Sequence, residues 1–475
     1  MERAYAAELN DQNLSAIFGE CDDFIRRELW VDGQTVYVYA LDGMVASGFM
    51  SDYVLKPLAQ GAVRGEPQER YRQALTGAIY NSVADAVEDL EVAATKLVNG
   101  FCLVWFPGGG AVACEVRSPT RRSPSPPEVE NTVKGAKDAF TETIRINTAL
   151  VRRHLRTPAL RLRGTTVGQR TLTHLTVCSV EGLTDPELVE RVMARLDSID
   201  VDGMVSPACV EEYLTGSRKT AFPLLQYTER TDRFAQGLLD GRVGVLVDGL
   251  PLGYLLPVDA GYLMTSEEDR GTDYLSASML RLLRWGALLL ALLLPGLYIA
   301  MATFQPEMLP TPLLRAIIES KENVPFSTAV EVLSLLLAFE LLQQAGIHLP
   351  QAIGQSVSII GGLVVGTAAV EASLVSPAAL IVSAASGICG FVLPGRDFGD
   401  AIRIWRLVLA VTAACAGLFG LTAGVIVLLI RLSALHSLGR PYLSGMKLTR
   451  PRLITDRRRD PVLHPLDEQR QEGNA

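Results

Sequence analysis

The 475-residue chain lacks the spaced cysteines and histidines that mark metal centres and disulfide frameworks. Its seven cysteines are odd in number, no two have C-x-x-C spacing, and its five histidines show no ligand spacing. It also has no H-E-x-x-H, no Walker loop and no G-x-S-x-G motif. These absences predict a protein without a metal or other cofactor and favour one that is not an enzyme.

Charge is also scarce, and its balance is acidic. Charged residues make up 20% of the chain, with 44 Lys+Arg against 52 Asp+Glu, whereas 48% is hydrophobic. A net charge of −8 gives no support for a nucleic-acid binder. The hydrophobic excess lies after Arg284, where long charge-free stretches begin, which argues against a wholly soluble enzyme. The first residues, MERAYAAELNDQ, contain no apolar core segment, which predicts that there is no signal peptide.

The first half of the chain has alternating strand and helix patterns, which predict an α/β architecture. Pro107-Gly108-Gly109-Gly110 is interpreted as a hairpin turn, because no Lys-Ser/Thr or helix follows it as in a phosphate loop. We expect two small α/β subdomains, 1–117 and 128–258, joined by a Pro/Ser-rich linker, 118–127. The predicted strands are 34–40, 101–106, 111–116, 171–180 and 242–247, and the predicted helices are 82–98, 136–154, 186–197 and 229–239.

The predicted helix 136–154 carries the polar residues Arg145, Asn147, Arg152 and Arg153. One interpretation is a solvated face or a face that packs between subdomains. The other is a contact surface for a partner subunit or for anionic lipid head groups, since a basic side chain near a membrane gains about 1 kcal/mol.

The second half contains segments that suit a lipid environment. Residues 285–304 carry no charge and are just long enough to cross a bilayer, with an insertion free energy of about −3 to −5 kcal/mol. Three more segments, 351–370, 374–394 and 407–430, are also predicted to span the membrane. The predicted organisation is a juxtamembrane connector, a transmembrane helical domain and a basic cytoplasmic tail, at 259–284, 285–431 and 432–475.

The segment 326–345 is ambiguous because it contains Glu331 and Glu340. Two acids at the bilayer centre cost roughly 5–7 kcal/mol, whereas the ten strongly apolar residues return about 3–6 kcal/mol. We therefore expect a re-entrant or interfacial segment here, together with the amphipathic stretch 311–320.

Basic residues predict the orientation. Arg281 and Arg284 precede the first span, and a cluster that ends in Arg457-Arg458-Arg459 follows the last one. Both ends then face the cytoplasm, which needs an even number of spans, and four fits. This arrangement conflicts with Arg396, Arg403 and Arg406, because it places them on the opposite side.

Small residues recur every four positions along 351–370, which lets helices approach closely. Dense packing explains such a face, but several copies of it could also line a conduction path with a narrow apolar constriction. The pore-lining candidates are Gly354, Ser358, Gly361, Gly362, Val365, Gly366 and Ala369. Glu340 and Glu371 are candidates for intramembrane acids, although the turn that carries Glu371 could reach the interface.

Four stretches resemble the GerA family of spore germination proteins, the A subunits of nutrient germinant receptors. GAKDAFTETIRINTALVRRHL (135–155) is similar to that family's F-x-E-x-x-R-x-N-x-x-L-V/I-R-R signature, with His154 where Arg or Lys is usual. The other stretches are FPLLQYTERTDRFAQGLLDGRVGVLVDGLP (222–251), LPGLYIAMATFQPEMLPTPLL (294–314) and AGIHLPQAIGQSVSIIGGLVVGTAAVEASLVSPA (345–378). Together they extend from about Asp23 to Ser444.

The resemblance implies a membrane subunit that forms homo-oligomers around a ligand-gated cation conduit in the spore inner membrane. It implies two partners, a transporter-like B subunit and a lipoprotein C subunit. Alternatives are an accessory GerA-family protein acting with the dipicolinic acid channel and a non-conducting scaffold. A transporter that carries its own substrate would need internal repeats, and none is recognised.

Overall fold

A computed structural model describes residues 8–117, 135–203, 207–216, 220–266, 272–348 and 364–444, with the single residues 127, 130 and 269. The chain divides into two compact units. The first, the α/β unit, comprises Met1–Arg218, Leu225–Pro257 and Ile454–Ala475, and the second, the helical unit, comprises Lys219–Leu224 and Val258–Leu453.

The α/β unit contains two five-stranded antiparallel sheets. The first has the order β1-β2-β4-β5-β3, where the strands are β1 (Phe24–Val31), β2 (Gln34–Leu41), β3 (Ala84–Val87), β4 (Phe101–Phe106) and β5 (Gly110–Glu115). Its helices are α1 (Asp11–Phe18), α2 (Ser47–Phe49), α3 (Lys56–Ala59), α4 (Pro67–Gln73) and α5 (Leu90–Val98), with π-helical turns at Met50–Leu55 and Ala74–Ala78.

The second sheet has the order β6-β7-β9-β10-β8. Its strands are β6 (Leu160–Val167), β7 (Thr173–Val180), β8 (Gln226–Thr228), β9 (Val243–Val247) and β10 (Gly253–Leu256). Its helices are α6 (Ile144–His154), α7 (Pro186–Asp197), α8 (Pro207–Thr215) and α9 (Thr231–Leu239).

The two sheets have the same strand order, so the α/β unit repeats one arrangement that no repeat in the sequence had indicated. In both, a hairpin is followed by helices, an edge strand, one more helix and a second hairpin. The last helix ends in LVNG in one repeat and LLDG in the other, where Gly100 and Gly241 have φ angles of +82° and +79°. Glycine adopts this left-handed conformation without steric cost, so both helices stop at the same point before the hairpin.

The alternation of side chains between the two faces of each strand explains why the first sheet is covered on both faces. Val36, Val38 and Val104 belong to one buried cluster, whereas Tyr39 and Leu103 belong to another. Successive side chains of a strand point to opposite faces, so these two clusters form two apolar layers around one sheet.

The structure confirms most of the predicted strands and helices in this unit, with two differences. The first half of the predicted helix 82–98 is instead the edge strand β3, which pairs with β5. The predicted helix 136–154 begins only at Ile144, because Asn147 folds back onto the backbone of Thr141. The linker 118–127 lies outside the described residues apart from residue 127.

The helical unit consists of helices followed by a small hairpin. The elements are α10 (Ala260–Leu263), α11 (Tyr274–Thr303), a 3-10 turn at Pro306–Met308, α12 (Thr311–Lys321), α13 (Thr328–His348), a π-helical turn at Val364–Ala368, α14 (Ala369–Glu371), α15 (Pro377–Phe391), α16 (Arg396–Ala434), β11 (His436–Ser437) and β12 (Arg440–Pro441). By length and composition α11, α13 and α16 could each cross a membrane, with mean hydropathies of 2.0, 1.3 and 2.4. Segment 326–345, expected to be re-entrant or interfacial, therefore belongs to one unbroken helix.

A break inside α16 corrects the prediction of one span over 407–430. Ala416 and Gly417 have non-helical dihedral angles, and Gly417 has φ +60°. A methyl group added at Gly420 would collide with the carbonyl oxygen of Thr412, and one at Gly424 would meet the side chain of Leu409. Contacts between residues so far apart along a helix require its two halves, 396–415 and 418–434, to fold against each other as a hairpin.

This hairpin removes the conflict between the basic residues. Phe222 packs against Phe398, Trp405 and Tyr442, so the start of α16 and the chain after its end lie at the same end of the unit. Phe304, which follows α11, lies against Gly417 at the opposite end. The start of α11, Arg403 and the chain just after α16 therefore share one end of the helical unit, as the positive residues require. The prediction that 407–430 crosses the membrane once, which placed Arg403 on the side opposite the chain after α16, is wrong, because it treated the hairpin as one helix.

Candidate functional site

Helix α6 carries the signature residues, and its beginning is fixed by polar contacts. Asn147 is fully buried; its Oδ1 accepts a hydrogen bond from the Thr141 backbone N–H at 2.8 Å, and its Nδ2 donates to the Thr141 carbonyl at 2.6 Å. Asp248, in the turn after β9, accepts a hydrogen bond from the Ile144 N–H at 2.9 Å. A carboxylate at a helix N-terminus satisfies a free amide and interacts favourably with the helix dipole.

The arginines of α6 join the two sheets of the α/β unit. Arg152, 1% exposed, is paired through both Nε and Nη2 with Asp23, which precedes β1, and Nη2 lies 2.7 Å from Oδ1. Arg145 pairs with Asp42 at 2.5 Å and donates to Ser47 Oγ at 2.7 Å. Asn147 and Arg152 are thus enclosed within the chain, which agrees with the interpretation of a face that packs between subdomains and corrects the alternative of a partner or lipid contact for these two residues. Arg145 and Arg153 keep exposed surface.

A cavity of about 240 Å³ lies beside this junction. Arg117, Arg153 and Arg156 line its polar side, and Ile146 and Leu150 are part of its apolar side. It is a basic recess in which α6 faces the loops of the first sheet.

In the helical unit, Glu340 forms an ion pair that the sequence did not reveal. Its Oε1 lies 2.6 Å from Nη2 of Arg406, a residue of α16 that is 3% exposed. Arg406 Nη1 lies 3.4 Å from Ser386 Oγ, which donates to the carbonyl of Ala291 at 2.8 Å. One buried arginine thus links α13, α15 and α16, and the serine extends the network to α11.

Glu331 forms a second buried cluster near the start of α13. Its Oε2 accepts hydrogen bonds from the backbone N–H and the Oγ–H of Ser376 at 2.9 and 2.7 Å, and its Oε1 lies 3.1 Å from Lys321 Nζ. The side chain of Glu331 is 0% exposed. The two acids that made this segment an improbable span are both paired, which removes most of their cost in an apolar environment.

These two clusters also fix the relative direction of two helices. Glu331 meets Ser376 at the starts of α13 and α15, and Glu340 and Ser386 meet at Arg406 about ten residues further along both. Helices α13 and α15 therefore run parallel, so the chain between them returns to the end where Glu331 lies.

The pore-lining candidates fall only partly on described residues. Gly354, Ser358, Gly361 and Gly362 lie outside them, and of Val365 only the backbone is described. Gly366 lies in the π-helical turn with space for a methyl group, and Ala369 packs against the apolar cluster around Ile299 and Val332. Glu371 ends α14 with its side chain exposed. The described part of this segment thus contacts the bundle at Ala369.

Sequence reasoning considered the intramembrane charges one at a time and missed their pairing. A signal was available, because a basic and an acidic residue on different apolar segments, such as Arg406 and Glu340, are each too costly to stay alone in lipid. The same reasoning applies to Asp269, which forms ion pairs with Arg284 at 2.7 Å and with Arg281 at 3.5 Å. The two arginines used to predict orientation are therefore buried and paired.

Long apolar helices with paired internal charges, beside a separate α/β unit, define an integral membrane protein with a soluble region. Residues 12–459 match the family described as the Bacillus/Clostridium GerA spore germination protein. The chain belongs to the GerA family, as the resemblance of its motifs predicted.

Individual relatives match along most of the chain. It is 32% identical over 439 residues to the uncharacterized membrane protein YfkQ of Bacillus subtilis (strain 168), covering 92% of this chain and 85% of that one. It is 31% identical over 432 residues to spore germination protein KA of the same organism, covering 90% and 79%. The N-terminal domain of the A subunit of the Bacillus megaterium spore germinant receptor GerK3 matches with a TM-score of 0.40 and 24% identity, covering 51% of this chain and 91% of that chain.

Proposed function

We propose that this chain is a membrane subunit of a spore nutrient germinant receptor, and that several copies assemble around a cation conduit that opens when a nutrient binds. The observation that carries the proposal is the match of residues 12–459 to one family of spore germination proteins. Its partners are a transporter-like B subunit and a lipoprotein C subunit. Its place is the spore inner membrane, with the α/β unit in the cytoplasm and the exposed surfaces of Arg145 and Arg153 as candidate contacts for a partner or for anionic lipid.

The chemistry of the helical unit supports a role in conduction. Charged side chains in an apolar bundle are costly, and they typically mark ion pathways or the elements that control them. The candidate lining of the conduit is the small-residue face from Gly354 to Ala369, which we call the pore segment. An apolar constriction about the width of a hydrated ion would stop cation flow there by dewetting. In this proposal Glu340 and Glu371 are the acids nearest to the path.

The test is potassium release from dormant spores that carry the full receptor. We expect Gly362→Leu to block nutrient-triggered release and Val365→Ala to raise release without nutrient, because they narrow and widen an apolar constriction. The matched control is Gly387→Ala in α15, where an added methyl group meets no neighbour within 4 Å.

Unchanged potassium flux in both variants at normal protein levels would contradict the pore assignment and favour a non-conducting scaffold. If these variants release potassium normally in response to nutrient but fail to release dipicolinic acid, the accessory role is favoured instead.

A further inference from the structure

The cluster around Glu331 joins three helices at their ends. Lys321 is the last residue of α12, Glu331 is in the first turn of α13, and Ser376 is the N-cap of α15, where its Oγ accepts a hydrogen bond from Ala379 at 3.3 Å. Lys321 Nζ also donates to Thr328 Oγ1 at 2.5 Å. A single carboxylate therefore holds together segments that are far apart in the chain.

Electrostatics explains why an anion is stable at this buried position. The carboxylate of Glu331 lies in the first turn of α13 and accepts two hydrogen bonds from the N-cap residue of α15. Both helix N-termini carry partial positive charge, and the ammonium of Lys321 adds a full one. The position therefore selects an anion, and a lysine placed there would meet three positive groups.

The two members of the ion pair differ in exposure. Glu331 is 0% exposed and also bonded to Ser376, whereas the side chain of Lys321 is 23% exposed. Lys321 can therefore move away from the cluster while Glu331 stays bonded to α15. Packing alone would not require such a pair, since well-packed apolar side chains are often at least as stable as a buried ion pair.

The cluster is adjacent to the candidate pore segment. The π-helical turn and α14 end at Glu371, and Ser376 follows five residues later, after the left-handed Ser373 at φ +53°. Val375 is buried in the same apolar cluster as Val332 and Ile299. The end of the pore segment is thus tied to α12 through Ser376, Glu331 and Lys321.

We propose that Lys321 and Glu331 are positioning residues of the conduit, an ion-pair latch that holds the end of the pore segment in its non-conducting position until Lys321 leaves. The latch depends on the conduit proposed above. A displacement of α12 would pull Lys321 away from Glu331 and open the latch. Most side chains of α12 are exposed, apart from Ile317 and a few half-buried residues.

The experiment compares potassium leak without nutrient in spores that carry the complete receptor. Lys321→Gln removes the ammonium, and Glu331→Gln removes the charge while keeping an oxygen for Ser376. We expect each to raise basal leak about tenfold, and the double variant to leak no more than either single variant, because both remove one interaction. Lys321→Arg keeps the charge and is expected to behave as wild type. Arg315→Gln, on an exposed position of α12, is the matched control.

A second readout does not depend on conduction. Ala372→Cys places a thiol on the exposed turn between Glu371 and Ser376. In the same chain Cys209, Cys389 and Cys415 are changed to Ala. The remaining cysteines are buried, namely Cys21, Cys102, Cys114 and Cys178. We expect its maleimide labelling rate in detergent-solubilised full-length protein to rise severalfold in Lys321→Gln and Glu331→Gln.

Leak and labelling within twofold of wild type in both single variants would overturn the latch, as would a double variant whose leak multiplies the two single effects. If wild-type spores show no nutrient-triggered potassium release, the conduit itself fails. The labelling rates then decide separately whether the ion pair positions this turn.

Discussion

The α/β unit and the helical unit place their apolar and charged side chains in opposite ways. In the first sheet the valines of β2 and β4 are buried, and charged residues lie mostly outside. In the helical unit Phe419 is 78% exposed and Ile426 is 56% exposed, whereas Glu331 and Arg406 are buried. The difference shows what surrounds each unit: water makes apolar surface costly, and lipid makes unpaired charge costly.

The comparison also shows that a buried ion pair has a different geometry and a different context in the two units: Arg152 binds Asp23 through two nitrogens, whereas Arg406 binds Glu340 through one. Arg152–Asp23 joins two sheets that already have apolar cores, and Arg406–Glu340 joins helices that gain no hydrophobic drive from lipid. Polar contacts thus define which helices meet in the helical unit. In the α/β unit they specify how two sheets, each with its own apolar core, pack together.

The largest expected effect is at the junction of the two sheets. Arg152→Leu leaves Asp23 buried without its partner, and we expect the free energy of unfolding of the α/β unit to fall by about 3–5 kcal/mol. Chemical denaturation of the full chain in detergent, followed by tryptophan fluorescence, measures it. Arg163→Leu, which removes a more exposed pair with Glu190, is the control, and equal losses in both variants would contradict the prediction.

The corresponding change in the helical unit is Arg406→Leu. Glu340 is 20% exposed, so its stranded charge is partly relieved, and we expect a loss of about 3 kcal/mol, seen as a lower aggregation temperature in detergent. The double variant Arg406→Leu/Glu340→Leu should recover most of the loss. A double variant no more stable than the single one would mean that Glu340 does not carry the cost.

Two equally exposed aromatic residues test the difference in surroundings directly. Phe419 in α16 and Tyr80 in the α/β unit are 78% and 73% exposed. Phe419→Asp is expected to lower the inserted fraction, because lipid surrounds the side chain, although by less than the roughly 3 kcal/mol of an acid at the centre of a span, since Phe419 lies close to the turn at Gly417. Tyr80→Asp should change the free energy of unfolding by less than about 0.5 kcal/mol. Similar effects of the two substitutions would refute the conclusion that lipid surrounds the helical unit and water surrounds the α/β unit.

The break in α16 is expected to be sensitive to a smaller change. Gly417→Ala places a side chain at φ +60° against Phe304, which we expect to cost about 1–2 kcal/mol and to lower the aggregation temperature of the full chain. Gly390→Ala, in α15, meets no neighbour within 4 Å and serves as the control. If both variants behave as wild type, the turn at Gly417 is not needed for the hairpin.

The smallest effect concerns acid. A hydrogen bond from His154, 2.9 Å from Asp138, lowers the pKa of that carboxyl below its usual range. A lowered pKa in the folded state adds stability above the unfolded pKa, and this stability is lost as the pH falls through the folded value. The difference in the free energy of unfolding between wild type and His154→Gln, measured by thermal denaturation, should therefore shrink from pH 6 to pH 3, by less than about 1 kcal/mol in total. A constant difference across this range would mean that the two residues are not coupled.

Much of the fold could be predicted from local sequence patterns, and the elements that were predicted wrongly share a physical cause. The hairpin at 101–115 and the helix from Pro186 follow from alternation and capping, which act within a few residues. The edge strand β3 was predicted as a helix because its pairing partner β5 lies about 25 residues away. The hairpin in α16 was missed because Ala416 and Gly417 sit inside an unbroken apolar run.

The candidate site was predicted less completely, since its chemistry depends on partners distant in sequence. Glu340 was recognised as an intramembrane acid, but not its pairing with Arg406, 66 residues away. The sequence left open whether Arg152 packs between subdomains or contacts a partner, because a basic residue on an amphipathic helix has the same local pattern whether it faces water or, as here, an acid beside another sheet.

By itself the sequence determined the two kinds of surroundings, the family and the residues that are costly in lipid, because hydropathy and motifs are properties of contiguous residues. Only the tertiary structure decided which charges neutralise one another, that two sheets repeat one strand order, and that α16 turns back on itself. Those features depend on contacts between segments far apart in the chain, where the free energy belongs to the pair and neither residue alone specifies it.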